Sequence, residues 1–395
     1  MTTFSIDYFN KDTFFKSLDY SNKVILNAVT DPLFIYDKNK KDYIPNACAS
    51  YEIKKNIYYI TLRDDLYFSD GTKVTPKDYE DVIIENKDLL NLSILSITST
   101  SNEIIITLKN KDSSLKNKLS FYLFSPHKKT SGRYQIGKIT DKKVELIPNK
   151  YYRNRANEKL EFIIIDNLND NIKYFKNKKI DITNNTFIKL DDNNKKHEKS
   201  GIIFNLDISS RYNKSTREKI IRSINKNNIV AELGNSYYVK NDFFFHEEAK
   251  YKYKQISNNE SLKLKLSYNK FYPNKEIAKV IKKELEKNNF KIELVENTYD
   301  DFKQLTTYDL KLTLNYFEYI DDLFFYNSKY FRYIMKNNVL YKHLLTNDNM
   351  KKIINKMFMK KYLKEPLISF YSDYKTNKHT KDYSYLECNY NCIKD

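Results

Sequence analysis

Carboxylates and aromatic rings share one short run of this chain, Leu314-Asn315-Tyr316-Phe317-Glu318-Tyr319-Ile320-Asp321-Asp322. By residue type alone, the acids there read as a solvated turn after a strand and the rings as core at the strand end. The other groups that could carry chemistry are scattered. Five histidines are spread through 395 residues, and His127 and His246 read as loop residues. There is no HExxH pair, no GxSxG nucleophile turn, no P-loop and no glycine-rich dinucleotide loop. The three cysteines, Cys48, Cys388 and Cys392, form no CxxC pair, so neither a structural zinc site nor a disulfide framework is expected. Cys388 and Cys392 could share a helical face, pair or be inert. With no catalytic constellation, the chain is expected not to be an enzyme and to need no cofactor or metal.

Composition bounds the class. Hydrophobic residues make up 41% of the chain, enough for real cores, and 30% of residues are charged. The length suits two or three domains. No run approaches the roughly 20 apolar residues of a spanning helix. The net charge of +18 fits a nucleic acid or an anionic surface as partner. The basic residues, however, are spread evenly among Asn, Ile and Tyr, with only five Gly and no Trp, a bias expected of a low-GC genome. A nucleic-acid partner therefore rests on charge alone and is not expected. Met1-Thr2-Thr3-Phe4 leads directly into apparent folded sequence, without a signal-like apolar region or a lipid-accepting Cys.

The elements that must position these groups follow from periodicity and turn chemistry. Residues 24–36 read as an apolar helix and a turn at Asp31-Pro32. Hairpins are expected over 51–62, 94–108 and 132–149. Between the first two, Asp70-Gly71 marks a tight turn, and Thr75-Pro76 with Asp78 announces a capped helix. A strand at 160–166, a short helix through Tyr174-Phe175 and Ile180-Asp181-Ile182 follow. From about 202 the texture becomes strand, helix (216–230), strand (262–268), amphipathic helix (274–289) and strand (291–295). That βαβ order implies parallel pairing. A short helix at 301–305 and a strand at 308–316 extend the layer, and a late helix at 350–363 precedes extended 367–371. The fold class is α/β, with hairpin-rich insertions in the first half.

Several segments, in order, resemble one family. Asp31-Pro32-Leu33-Phe34-Ile35-Tyr36-Asp37, Pro45-Asn46-Ala47 and Ser50-Tyr51-Glu52-Ile53 come first. Leu62-Arg63, Phe68-Ser69-Asp70-Gly71-Thr72 and Val74-Thr75-Pro76-Lys77-Asp78 follow, with Pro76 where Ala is usual. Ser131-Gly132-Arg133-Tyr134, Asn149-Lys150-Tyr151-Tyr152, Lys178-Lys179-Ile180-Asp181 and Arg217 with Arg222-Ser223-Ile224-Asn225-Lys226 complete the series. Together they resemble the extracytoplasmic solute-binding proteins of peptide and nickel ABC importers, solute-binding protein family 5.

The resemblance implies a two-lobed type II periplasmic-binding-protein fold with an interlobe cleft and a two-segment hinge. Lobe I would be 1–204 plus 368–395, with a reduced hairpin-rich subdomain at about 38–130, and lobe II 205–367. The hinge would cross near 202–206 and 367–371. It implies capture of an oligopeptide or similar amine-bearing solute for an ABC permease and ATPase, by an extracytoplasmic monomer. Glu318 falls at the family's amine-binding Asp, one methylene longer and without the flanking Trp and Pro. Such a carboxylate matters because a desolvated ammonium is costly unpaired. Tyr316, Phe317, Tyr319 and Asp321 would line the same pocket. If Met1 is the native start, the alternative is a cytoplasmic homologue that senses or carries a peptide.

Overall fold

The structure, a computed structural model, describes residues 1–189, 196–241, 261–316 and 363–374, apart from 13, 17, 18, 38, 39, 41, 89–91, 113, 114, 128, 186 and 235. By packing, the chain divides into two units, 1–195 with 374–395, and 196–373.

The first unit runs β1 (Thr2–Ile6), α1 (Tyr20–Val29), β2 (Phe34–Asp37), β3 (Asp42–Pro45), β4 (Cys48–Lys54), β5 (Ile57–Leu62), α2 (Pro76–Asn86), β6 (Ile94–Ser99), β7 (Glu103–Leu108), α3 (Leu115–Leu119), β8 (Tyr134–Ile139), β9 (Lys143–Pro148), β10 (Leu160–Ile164), α4 (Leu168–Lys176) and β11 (Ile182–Thr183). One sheet has the order β11-β1-β10-β9-β8, with β1 parallel to both β10 and β11. A second, β4-β5-β7-β6, is wholly antiparallel, and β2 pairs with β3.

The three expected hairpins form as β4–β5, β6–β7 and β8–β9. Strict alternation explains the middle sheet. Tyr58, Ile60 and Leu62 of β5 and Ile104, Ile106 and Leu108 of β7 are buried, and Ile60 stands opposite Ile104. Helix α2 adds Tyr79, Val82 and Ile83 to the buried set. It starts as its residues dictate, with Pro76 in the first turn and a reciprocal capping box between Thr75 and Asp78. Before it, Tyr67 bridges Lys73 around Gly71, whose φ of 89° only glycine adopts readily.

The segment 24–36 resolves differently from a helix and turn alone. The helix ends at Val29, and 34–37 joins a strand pair with β3. Thr30 is extended and its hydroxyl donates back to Leu26 O at 2.7 Å, while Pro32 disfavours helix for Asp31.

Gly132 lies against the end of α1. Its N–H donates to Val29 O at 3.0 Å, and Asn149 Nδ2 donates to Gly132 O at 2.9 Å. A Cβ at this position would stand 2.5 Å from the backbone of Val29 and Thr30. Because those atoms are main chain, no rotamer change relieves the clash. Gly132→Ala is expected to destabilise the protein by about 1–3 kcal/mol, as overpacking does, read as a fall in the urea midpoint. An unchanged midpoint would mean the loop and α1 separate without cost.

The second unit runs β12 (Lys196–Ile208), α5 (Lys214–Arg222), α6 (Lys226–Leu233), β13 (Tyr238–Lys240), β14 (Leu262–Asn269), α7 (Asn274–Glu286), β15 (Phe290–Asn297), α8 (Tyr299–Gln304), β16 (Leu310–Tyr316) and β17 (Lys364–Tyr374). Its sheet has the order β13-β17-β12-β16-β14-β15. Strand β14 is parallel to β15 and to β16, as the βαβ pattern requires. Helix α7 buries Ile277, Ala278, Val280, Ile281 and Leu285. Buried charges tie the central strands together: Lys364 Nζ lies 2.9 Å from Asp207 Oδ1 and 3.2 Å from Thr313 Oγ1.

One expected helix, 216–230, is two. The apolar face persists through buried Ile220, Ile221 and Ile224, but α5 ends at Arg222 and α6 begins at Lys226. Asn225 caps α6 by accepting from Asn227 N–H, and its own N–H donates to buried Glu284 Oε2 at 3.1 Å. That long-range carboxylate accepts from an N–H that the break takes out of the helical ladder. The expected late helix lies outside the described residues up to 362, and the expected crossings at 202–206 and 367–371 fall within β12 and β17.

Candidate functional site

Three of the segments that carry the family resemblance, 31–37, 45–47 and 149–152, meet at one buried carboxylate, Asp31. Asp31, 2% exposed, receives Arg153 through two bonds, Nη1 to Oδ2 at 2.6 Å and Nη2 to Oδ1 at 3.0 Å. Asn46 Nδ2 donates to Asp31 Oδ1 at 2.8 Å, and Arg153 Nη2 donates to Asn46 Oδ1 at 2.8 Å. Tyr152 OH donates to Asp31 Oδ1 at 3.1 Å, and Tyr79 OH to Asp31 O at 2.5 Å. Burial pushes the Tyr79 and Tyr152 phenols up, with the Asp31 charge adding to it, so both stay protonated donors. For Arg153, burial opposes the charge and the bonds from Asp31 outweigh it, holding the guanidinium ionised. Both oxygens of this carboxylate accept bonds from within the protein. It ties the end of α1 to the β3–β4 loop, α2 and the loop after β9.

Open polar chemistry lies elsewhere, at the carboxyl ends of parallel strands, where α/β sheets place ligands. In the first unit β1, β10 and β11 are parallel and end together, and the chain leaves them at Asp7, Ile165 and Asn184. The cluster there is neutral and buried: Ser5 0%, Asn171 1%, Thr183 1%, Asn184 0% and Asn185 3% exposed. Asn185 Nδ2 donates to Ile165 O at 2.7 Å and to Asp7 Oδ1 at 2.8 Å. Asn171 Nδ2 donates to Ser5 Oγ at 3.2 Å and to Asn185 Oδ1. Among the described residues, Asn171 Oδ1, Thr183 Oγ1 and both amide atoms of Asn184 have no hydrogen-bond partner. Beyond β1, Phe9, Phe14 and Phe15 pack in series, and His127, expected as a loop residue, stacks on Phe15 at 5.6 Å.

In the second unit β14, β15 and β16 end on one edge, at Asn269, Asn297 and Tyr316. Asn269 Oδ1 accepts from Phe271 N–H at 3.0 Å and from Asn274 Nδ2, and Asn297 Nδ2 donates to Val295 O at 3.0 Å. Tyr316 is the last residue of β16, paired with Ile202 of β12. The other residues expected at the site, Phe317, Glu318, Tyr319 and Asp321, lie outside the described residues.

Sequence reasoning did not single out Ser5, Asn171, Thr183, Asn184 or Asn185. The available signal was the Asn184-Asn185 pair, one residue beyond Ile180-Asp181-Ile182, which loses contrast in a chain crowded with Asn. Among the described residues, no group of three or more His, Cys, Asp or Glu is placed to hold a metal ion. Cys48 is buried, its thiol pushed up to about 12 by desolvation, and its Sγ lies 3.2 Å from Ser50 O. Cys388 and Cys392 lie outside the described residues.

No protein-family model and no curated protein matches the sequence. Solved structures match the fold, which is the α/β periplasmic-binding-protein fold. NikA from Staphylococcus aureus in complex with Ni(L-His)2 gives a TM-score of 0.80 at 17% identity, covering 95% of each chain. OppA of Listeria monocytogenes bound to peptide gives 0.79 at 14% identity, covering 96% of this chain and 95% of that one. The ABC transporter-associated periplasmic binding protein DppA from Helicobacter pylori, in complex with the peptide STSA, gives 0.77 at 14% identity, covering 94% and 93%.

Proposed function

We propose that this chain is the solute-binding protein of an ABC importer, capturing an oligopeptide or a similar amine-bearing solute and delivering it for transport. It binds and releases, without catalysis or a resident cofactor. The observation that carries the reading is the fold likeness, which spans 95% of this chain and 95% of NikA, and 96% and 95% for peptide-bound OppA. In this reading the solute lies in an interlobe cleft between lobe I, 1–204 plus 368–395, and lobe II, 205–367. Glu318 receives the ligand amine, and Tyr316, Phe317, Tyr319 and Asp321 line the pocket. The protein works as a monomer outside the cytoplasm, and its partners are the permease and ATPase subunits.

The test is ligand retention. Protein purified from its host is expected to carry adducts in native mass spectra that dissociate as peptides. Adding a peptide digest should raise the unfolding temperature. At a hundred times the dissociation constant the stabilisation is about 2.7 kcal/mol. For a neutral peptide it should survive high salt, whereas nucleic-acid binding falls steeply with salt. Absence of adducts, together with no thermal shift from peptides or from nickel–histidine, would end the solute-binding reading.

A further inference from the structure

We infer that Asn184 binds the ligand main chain, its carboxamide holding the N–H and the C=O of one residue of an extended peptide. This rests on the solute-binding reading above and specifies the ligand chemistry at one position. Asn184 directly follows β11 at the shared carboxyl edge of β1, β10 and β11. Its backbone is fixed, with the N–H donating to Ser5 O at 3.0 Å and to Ser5 Oγ at 3.3 Å. Its side chain is 0% exposed, yet neither Nδ2 nor Oδ1 has a partner among the described residues. A carboxamide carries two donors and two acceptor lone pairs, and proteins rarely bury such a group unpaired.

The surroundings narrow what completes it. Thr183 Oγ1 and Asn171 Oδ1, at the same strand edge, are buried and likewise without partners among the described residues. All three side chains are neutral, and the Asp7 carboxylate accepts from Asn185. The partner inferred is a neutral group with a donor and an acceptor side by side, which matches both ends of one carboxamide. In an extended chain the N–H and C=O of one residue point the same way, which lets antiparallel strands exchange two bonds at one residue pair. The Asn184 carboxamide presents that same pair. A grip of this kind reads backbone and leaves the ligand's side chains free to vary.

The probe is a tryptic digest of casein, with retained peptides identified by mass spectrometry and the tightest one measured by calorimetry. Asn184→Leu is expected to weaken that peptide by about 10- to 100-fold, the worth of two neutral hydrogen bonds, without lowering the unfolding temperature of the ligand-free protein. A scan of single N-methyl groups along the peptide should weaken wild-type binding at one position by a similar factor, and add nothing further in Asn184→Leu. The scan on wild-type protein stands even if the variant fails to fold. If wild type retains peptide while Asn184→Leu binds it equally well, or no N-methyl position matters, Asn184 is structural and the inference is overturned, with the solute-binding reading intact. If wild type retains no peptide at all, the inference falls, and the solute-binding reading falls with it only if nickel–histidine also gives no thermal shift.

Discussion

Arg153→Met is expected to destabilise the protein by about 3–5 kcal/mol, the usual cost of stripping one partner from a buried ion pair. Asp31 would keep the bonds from Asn46 and Tyr152 but lose both guanidinium bonds. The site is nearly closed to water, with the Arg153 and Asp31 side chains 11% and 3% exposed, so solvent cannot replace the lost partner. Urea unfolding gives the magnitude, and native-state hydrogen exchange should place the loss in the first unit. Adding Asp31→Asn should recover part of it, because the remaining group is then neutral. A loss below about 1 kcal/mol, typical of an exposed pair, would show that this network does not hold the motif segments together.

Glu318→Gln should weaken binding of an amine-bearing peptide by about 10- to 100-fold, corresponding to the 1.5–3 kcal/mol of a hydrogen bond to a charged group. The change is nearly isosteric, so the unfolding midpoint should not move. Acetylating the peptide's terminal amine should cost wild type a similar factor and cost the variant little more, because the same contact is already gone. Equal affinities for Glu318→Gln and wild type in calorimetry would remove Glu318 from the site and turn the search to Asp321. This measurement is independent of Asn184, which acts on the peptide main chain in the other unit's sequence.

Much of the fold was legible because its signals are local. The Asp70-Gly71 turn, the Thr75-Pro76-Asp78 helix start and the alternation of Tyr58, Ile60, Ile104 and Ile106 each need only a few neighbours to act. The α5–α6 break was not legible, because the apolar spacing of Ile220, Ile221 and Ile224 runs through it. The group that favours the break, Glu284, lies 59 residues from Asn225. Of the residues expected around Glu318, only Tyr316 lies among the described residues, as the last residue of β16. The Asn cluster of the first unit carried no contrast of type or spacing.

The sequence by itself determined most of the elements, their order and the βαβ direction, since turn chemistry and hydrophobic period act over a few residues. It also pointed to a binding protein through motifs spread along the chain. Only the tertiary structure decided what those motifs do. Asp31 and Arg153 are separated by 122 residues and meet in one bidentate pair. Ser5 and Asn184 are 179 apart and share a strand edge. Such pairings depend on which strands lie side by side and on what burial leaves unsatisfied. Neither is a property of spacing, so the scaffold role of Asp31 and the buried amide of Asn184 become visible only once the sheets are assembled.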